Sequence, residues 1–178
     1  MNAFFFDRDG TLNIDPGYID NPEDMQLFPR AFDVLRYIKS LGYGIFIISN
    51  QSGIGRGLIA PEDFRRVNNR FLTLAGGYNI VDDILFCPHT PINNCPCRKP
   101  KTLLLEIVKE RYSINCDASY FVGDKITDIV CGKRAGLRTI MIYYGNNLED
   151  VSYKFENQII MSDKIISSIS ELINIIKE

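Results

Sequence analysis

The chain has 178 residues, of which 46% are apolar and 24% are charged. This composition is typical of a folded globular protein and excludes a disordered or coiled-coil chain. The 20 basic and 22 acidic side chains give a net charge of −2. Such a balance argues against a protein that coats nucleic acid or a membrane surface. The length predicts a single domain over residues 1–178.

The sequence also bears on the cellular compartment. The apolar run at residues 3–6 is too short for a secretory signal, and no stretch approaches the roughly 18 apolar residues of a membrane span. The five cysteines are an odd number, which fits a disulfide framework poorly. We therefore expect a cytoplasmic protein whose thiols stay reduced.

Short apolar runs alternate with segments of helical periodicity along the chain. Strands are predicted at residues 3–6, 45–48, 83–86, 120–122, 139–143 and 159–160. Helices are predicted at residues 31–41, 61–74, 102–112, 127–135 and 162–176, and a polar loop at residues 144–157. This alternation predicts an α/β fold in three layers, with a doubly wound parallel sheet covered by helices on both faces.

Polar segments follow the predicted strands at the ends where open α/β sheets bind their ligands. Four segments stand out along the chain: Asp7-Arg8-Asp9-Gly10-Thr11, Ser49-Asn50-Gln51, Arg98-Lys99-Pro100, and Gly123-Asp124-Lys125 with Asp128. Three strand ends thus supply carboxylates and a hydroxyl to one rim of the sheet, and a lysine from a loop can reach that rim.

In this order and on these elements, the four segments resemble the motifs of the haloacid-dehalogenase-like phosphatases. The resemblance implies that Asp7 is the nucleophile, since a carboxylate can form an aspartyl-phosphate intermediate. It implies that Asp9 protonates the leaving oxygen and then activates water. Ser49 and Lys99 would hold the phosphate oxygens.

The same resemblance implies a catalytic Mg²⁺. Several carboxylates beside a dianionic phosphate repel one another unless a cation lies between them, and Mg²⁺ prefers oxygen ligands. The implied ligands are Asp7, the backbone carbonyl of Asp9, and Asp124. Asp128 is expected to support this site from the following helix without binding the ion.

A second metal site is predicted in the proline-rich loop at residues 87–100. The candidate ligands are Cys87, His89, Cys95 and Cys97, and His89 is the sole histidine of the chain. Three thiolates and one imidazole form a closed tetrahedral set for Zn²⁺ with no position left for water. The predicted role is therefore structural: the bound ion would fold a loop that has little core of its own.

The loop narrows the resemblance to one branch of the family. Cys-Pro-His followed by Cys-x-Cys-Arg-Lys-Pro is similar to the zinc loop of the heptose-bisphosphate and histidinol-phosphate phosphatases, which lack a large cap domain. The segments after the first two predicted strands are likewise too short for a cap here. The resemblance therefore implies a monomer whose active site is covered only by loops.

The substrate class rests on residues 50–57, which read Asn-Gln-Ser-Gly-Ile-Gly-Arg-Gly and look like the heptose members of this branch. This implies removal of the 7-phosphate of D-glycero-D-manno-heptose 1,7-bisphosphate. Asn50, Arg98 and Arg56 are the expected contacts to this small phosphorylated substrate, because an arginine can bind a second phosphate through two hydrogen bonds. Histidinol phosphate, or another small phosphate ester, remains the alternative substrate.

Overall fold

The computed structural model describes residues 1–145, 153–155 and 158–177. Its strands are β1 (Ala3–Phe6), β2 (Gly44–Asn50), β3 (Asp83–Cys87), β4 (Tyr120–Gly123), β5 (Arg138–Ile142), β6 (Tyr153–Phe155), β7 (Gln158–Ile160) and β8 (Lys164–Ile166). Its α-helices are α1 (Ala31–Ser40), α2 (Ser52–Gly55), α3 (Pro61–Leu74), α4 (Leu103–Tyr112), α5 (Ile126–Arg134) and α6 (Leu172–Lys177). None of these helices is long and apolar enough to cross a membrane.

The central sheet has six strands in the order β3-β2-β1-β4-β5-β8. All neighbouring strands run parallel. From β1 the chain moves outward to β2 and β3, and then crosses back to place β4 on the other side of β1. The carboxyl ends of β1 and β4 flank the point where the strand order reverses, and that is where ligands of such sheets bind.

The alternation of side chains along β1 explains the three layers. Phe4 and Phe6 belong to a core shared with buried residues of α1 and α3, whereas Ala3 and Phe5 belong to a core shared with α4 and α5. All four residues are fully buried, as expected of a central strand that is covered on both faces. The predicted parallel sheet with helices on both sides is confirmed.

The C-terminal region differs from the prediction. We expected a helix over residues 162–176, but β8 lies at the edge of the sheet and α6 begins only at Leu172. Ile165 and Ile166 pair with Met141 and Ile142 of β5. Branched side chains fit a strand better than a helix, and the open edge of β5 supplies the hydrogen bonds that decide between the two.

The prediction of a loop over residues 144–157 is also wrong in part. Residues 153–155 form β6, which pairs with β7 in an antiparallel hairpin. The predicted strand at residues 159–160 therefore exists, but it belongs to this hairpin and not to the main sheet. Residues 146–152 and 156–157 lie outside the described part of the chain.

Polar residues placed one position before a strand tie that strand to its neighbour. Asp82 precedes β3 and accepts a hydrogen bond from the Ile45 amide of β2 at 2.8 Å. Asp163 precedes β8 and accepts from the amide and the hydroxyl of Thr139 on β5 at 2.7 and 2.8 Å. Lys133 of α5 donates to Asp163 at 2.7 Å. Both edge strands are thus anchored through an aspartate.

We predict that Asp163→Ala lowers the free energy of unfolding by about 1 kcal/mol at neutral pH, a value that allows for the half-exposed position of the carboxylate. Burial acts to raise the pKa of Asp163, but hydrogen bonds from Lys133 and Thr139 outweigh it and lower the pKa. The stabilisation is therefore present above the unfolded-state pKa of about 3.9 and is lost as the pH falls through the folded-state pKa.

Urea denaturation of wild type and Asp163→Ala at several pH values measures this difference. Asp117→Ala, at an exposed aspartate in the turn before β4, is the matched control and should change little. A difference between wild type and Asp163→Ala that does not shrink below pH 4 would contradict the assignment.

Candidate active site

A buried lysine joins three elements at the centre of the site. The Nζ atom of Lys99 lies 2.7 Å from Oδ1 of Asp7, which follows β1, and 2.7 Å from Oδ1 of Asp128 on α5. It also donates a hydrogen bond to the carbonyl of Ile48 on β2 at 2.7 Å. The side chains of Lys99, Asp7 and Asp128 are almost completely buried. One ammonium group therefore contacts two carboxylates and a backbone carbonyl.

The charges of this cluster do not balance. Burial acts to lower the pKa of Lys99, but the attraction of Asp128 and Asp7 outweighs it and raises the pKa. Burial raises the pKa of Asp128 to about 7, opposed by the attraction of Lys99 and reinforced by repulsion from Asp7. The lysine stays charged, and the carboxylates around it are short of positive charge.

Asp124, at the end of β4, adds a third carboxylate. Oxygens of Asp7, Asp124 and Asp128 all lie within 4.8 Å of one another. Burial and repulsion by Asp7 raise the pKa of Asp124, although Thr11 donates a hydrogen bond to its Oδ1 atom at 3.0 Å. A crowded set of hard oxygen donors with unbalanced negative charge fits a divalent cation such as Mg²⁺.

Two glycines allow these carboxylates to come so close to the backbone. Gly10 has a φ of +87°, and a Cβ atom there would collide with the side chain of Asp124. A Cβ atom at Gly123 would collide with the side chain of Asp128. The glycine of the Asp-x-Asp-Gly segment is therefore required both by its left-handed backbone and by the approach of Asp124.

Asp9 faces a different set of partners. Arg8 donates to both of its oxygens, from Nε at 3.1 Å and from Nη2 at 3.0 Å. Asn13 donates to Oδ1 at 3.0 Å and Gln51 to Oδ2 at 2.5 Å, and Gln51 also donates to the Ser49 hydroxyl at 2.7 Å. Burial acts to raise the pKa of Asp9, but the charge of Arg8 and these hydrogen bonds outweigh it, so that the pKa is lowered.

The site opens onto a cavity of about 680 Å³. Six of the predicted catalytic and substrate-binding residues line it: Asp7, Asp9, Ser49, Asn50, Arg98 and Lys99. The predicted substrate contact Arg56 is exposed and is not among the residues that line the cavity. The structure therefore brings together every predicted residue of this group except Arg56.

Asn50 has a role that its sequence position did not reveal. Its Oδ1 atom accepts from the backbone amide of Lys99 at 3.0 Å, and its Nδ2 atom donates to the backbone carbonyl of Lys99 at 3.2 Å. The end of β2 thus holds the loop segment that carries the lysine. Arg98, next in the chain, donates to the carbonyl of His89 at 3.2 Å.

The cysteine loop forms a compact cluster beside the cavity. The three sulfur atoms of Cys87, Cys95 and Cys97 lie 3.2 to 3.4 Å apart. The Nδ1 atom of His89 lies 3.3 Å from Cys97 and 3.7 Å from Cys87. A zinc–sulfur bond of about 2.3 Å implies edges of about 3.8 Å in a tetrahedron. The four atoms are arranged to hold a Zn²⁺ ion after a small expansion.

Three residues of the site were given no catalytic or positioning role by the sequence: Arg8, Asn13 and Gln51. The signal for Gln51 was available, because residues two apart at a strand end point to the same side, and Ser49 was already a candidate. Arg8 carries no comparable signal. An arginine between two aspartates fits an exposed ion pair equally well, and only the fold shows that it is buried.

A buried strand that ends in Asp-x-Asp, with a loop lysine against the first carboxylate, is the arrangement of the haloacid-dehalogenase-like class. A family model described as HAD-hydrolase-like matches residues 96–172. The crystal structure of the D,D-heptose 1,7-bisphosphate phosphatase from B. bronchiseptica, complexed with magnesium and phosphate, superposes with a TM-score of 0.84. The two chains are 23% identical, and the superposition covers 99% of this chain and 98% of the B. bronchiseptica chain.

Closer relatives define the family. The D-glycero-beta-D-manno-heptose-1,7-bisphosphate 7-phosphatase of Helicobacter pylori is 40% identical over 151 residues, which are 83% of this chain and 86% of that protein. The enzyme of the same name from Pasteurella multocida is 34% identical, and the alignment covers 98% of this chain and 96% of that enzyme. The chain belongs to the heptose-bisphosphate phosphatase family of haloacid-dehalogenase-like hydrolases.

Proposed function

We propose that this protein removes the 7-phosphate of D-glycero-D-manno-heptose 1,7-bisphosphate in a Mg²⁺-dependent reaction. The observation that carries the proposal is the buried contact of Asp7 with Lys99 on the wall of the cavity, in a chain 40% identical to a phosphatase of that name. A cavity of about 680 Å³ lies within the range of small-molecule sites.

The residues suggest how the reaction proceeds. A carboxylate oxygen of Asp7 attacks phosphorus, and the bond between phosphorus and the sugar oxygen breaks while Asp9 gives a proton to that oxygen. Because the pKa of Asp9 is lowered in the protein without substrate, Asp9 takes up this proton from water when the negatively charged phosphate ester binds beside it. Water then attacks the aspartyl-phosphate, Asp9 takes the proton, and phosphate leaves with Asp7 regenerated. Lys99 and the Ser49 hydroxyl stabilise the charge on the transferred group.

Two metal ions complete the proposal. Asp7, the backbone carbonyl of Asp9, and Asp124 would hold Mg²⁺, which supplies positive charge to the phosphoryl oxygens when it is bound. Zn²⁺ would be held by Cys87, His89, Cys95 and Cys97 in a structural role. The crowded carboxylates and the near-tetrahedral Cys/His set support these assignments.

We also propose a cytoplasmic, monomeric enzyme in a single domain that acts on a small molecule and binds neither nucleic acid nor membrane. The five cysteines, all within the described residues, are free thiols, which suits a reducing compartment. The net charge of −2 gives no basis for binding a polyanion.

Phosphate release from heptose 1,7-bisphosphate, measured for both anomers, tests the proposed substrate against histidinol phosphate. We expect kcat/KM to be at least tenfold higher with the heptose bisphosphate, because Arg98 at the cavity wall can pair with a second phosphate. Release should require Mg²⁺ and should fall about a thousandfold or more in Asp7→Asn, which removes the nucleophile.

Asp20→Asn, an exposed aspartate of the loop after β1, is the control and should keep full activity. Higher efficiency with histidinol phosphate would overturn the substrate proposal but leave the chemistry intact. Full activity in Asp7→Asn would overturn the nucleophile.

Arg98 and Arg56 form a matched pair for locating the second phosphate. Arg98→Gln should raise KM for the heptose bisphosphate about tenfold, the magnitude expected for a lost hydrogen bond to a charged group. KM for a monophosphate should change much less. Arg56→Gln should change neither value, because Arg56 lies outside the cavity lining. The reverse pattern in steady-state kinetics would restore Arg56 as the substrate contact.

Metal analysis tests the cysteine site. Protein purified without chelator should contain about one zinc per chain, and Cys95→Ser should lose it together with part of its thermal stability. Cys116→Ser, at a half-buried cysteine away from the cluster, should keep both. Zinc retained by Cys95→Ser, or a zinc-free wild type of equal stability, would refute the structural zinc.

A further inference from the structure

Gln51 occupies an unusual place in the site, because one amide group connects two side chains that the mechanism uses separately. Its Nε2 atom donates to Oδ2 of Asp9 at 2.5 Å and to the hydroxyl of Ser49 at 2.7 Å. Both donors of the amide are thereby used. The opposite amide orientation would turn Oε1 against a carboxylate oxygen, so the contacts fix the assignment of the nitrogen.

The protein holds Gln51 rigidly. The residue is 7% exposed, and its backbone amide donates to the carbonyl of Cys87 at the end of β3 at 2.7 Å. The residue directly follows β2, whose neighbour on one side is β1, the strand that leads to Asp7 and Asp9. Its amide is therefore placed by the sheet and not by a mobile loop.

Four nitrogen atoms, two of them from Arg8, donate hydrogen bonds to Asp9, and they lie on two sides of the carboxylate. Arg8 and Asn13 are almost fully buried and do not line the cavity, whereas Gln51 lines it together with Asp9. Arg8 is itself held by Asn68 of α3 at 3.3 Å. Without Gln51, Oδ2 would keep a partner only on the side turned away from the substrate.

We infer that Gln51 is a positioning residue that aims the Asp9 carboxyl group at the sugar oxygen of the phosphate ester. The inference rests on the proposed phosphatase function. The proton moves from Asp9 to the leaving oxygen, and Gln51 neither gives nor takes a proton. Because the same amide also holds Ser49, it fixes the distance between the proton donor and the bound phosphate, and a misplacement of about 1 Å can cost a hundredfold in rate.

The leaving group distinguishes this role from a purely structural one. An alkoxide needs protonation as the ester bond breaks, whereas p-nitrophenolate is a weak base and needs little help. In Gln51→Met, kcat/KM for an alkyl phosphate should fall about tenfold or more, and for p-nitrophenyl phosphate by less than about threefold. In Ser49→Ala the two values should fall together, since both esters carry the same phosphate.

A double-mutant cycle with Asp9→Ala provides the second readout. If Gln51 acts through Asp9, Gln51→Met should lower kcat/KM for the alkyl phosphate by less than about threefold in the Asp9→Ala background, which is the part that its contact with Ser49 can cause. Gln51→Asn keeps an amide that is too short to reach Asp9, so it should reproduce the selective loss even if the methionine variant folds poorly.

Three results would overturn the inference: equal losses on both esters, an undiminished effect of Gln51→Met in the Asp9→Ala background, or wild-type selectivity in Gln51→Asn. These results differ from the result expected if the proposed substrate is wrong. An enzyme that cleaves other alkyl phosphates but not the heptose bisphosphate refutes that substrate, and the comparison at Gln51 can still be read with the ester it cleaves. A wild type that cleaves no phosphate ester refutes both.

Discussion

The rest of the site depends on one buried interaction, the contact of the Lys99 ammonium group with Asp7 and Asp128. Removing a charged group from water costs several kcal/mol, and a buried carboxylate that loses its partner destabilises the protein strongly. Each carboxylate here comes from a different element, one after β1 and one on α5. The lysine therefore connects the two halves of the sheet at the point between β1 and β4 where the strand order reverses.

Delivering a lysine to this point is a structural problem, because it lies in a loop with few apolar side chains. Two devices hold the loop. Asn50 binds both backbone polar groups of Lys99, and the cluster of Cys87, His89, Cys95 and Cys97 closes the loop two residues earlier. On this view the proposed zinc site does no chemistry, yet it stands one residue from Arg98 and two from the lysine that contacts the nucleophile.

The features that could be predicted from the sequence are those whose residues lie close together in the chain. The strand ends at Asp7, Ser49 and Asp124 carry the motif residues within a few positions, and parallel strands bring such ends to one edge whatever the loops do. The set of four Cys and His residues is equally local. These features of the fold and the site were recognised because chain order alone determines them.

The features that escaped prediction depend on distant parts of the chain. The strand β8 exists because β5 offers an open edge, which periodicity around Ile165 cannot reveal. Arg8 becomes a partner of Asp9 because α3 covers it, with Asn68 and the ring of Phe64 against its guanidinium group. Arg56 is a predicted substrate contact because it lies in the segment at residues 50–57 that resembles the heptose members, but it is exposed after α2 and is not among the residues that line the cavity.

A count of charges shows why the chemistry is confined to one point of a nearly neutral protein. Four carboxylates meet at the sheet edge, from Asp7, Asp9, Asp124 and Asp128, and two buried cations, Arg8 and Lys99, face them. The half-exposed Lys125 reaches Asp124 only at 3.9 Å, where water screens most of its effect. The buried groups are thus short of about two positive charges, which is the charge of one divalent cation. Arg8 satisfies Asp9, so the shortage falls on Asp7, Asp124 and Asp128, because Lys99 divides its single charge between Asp7 and Asp128. Because Arg8 pairs with Asp9, the acid–base carboxylate is kept apart from the carboxylates that have room for a metal ion. Asp7 and Asp9, two aspartates of one short segment, can therefore serve different roles.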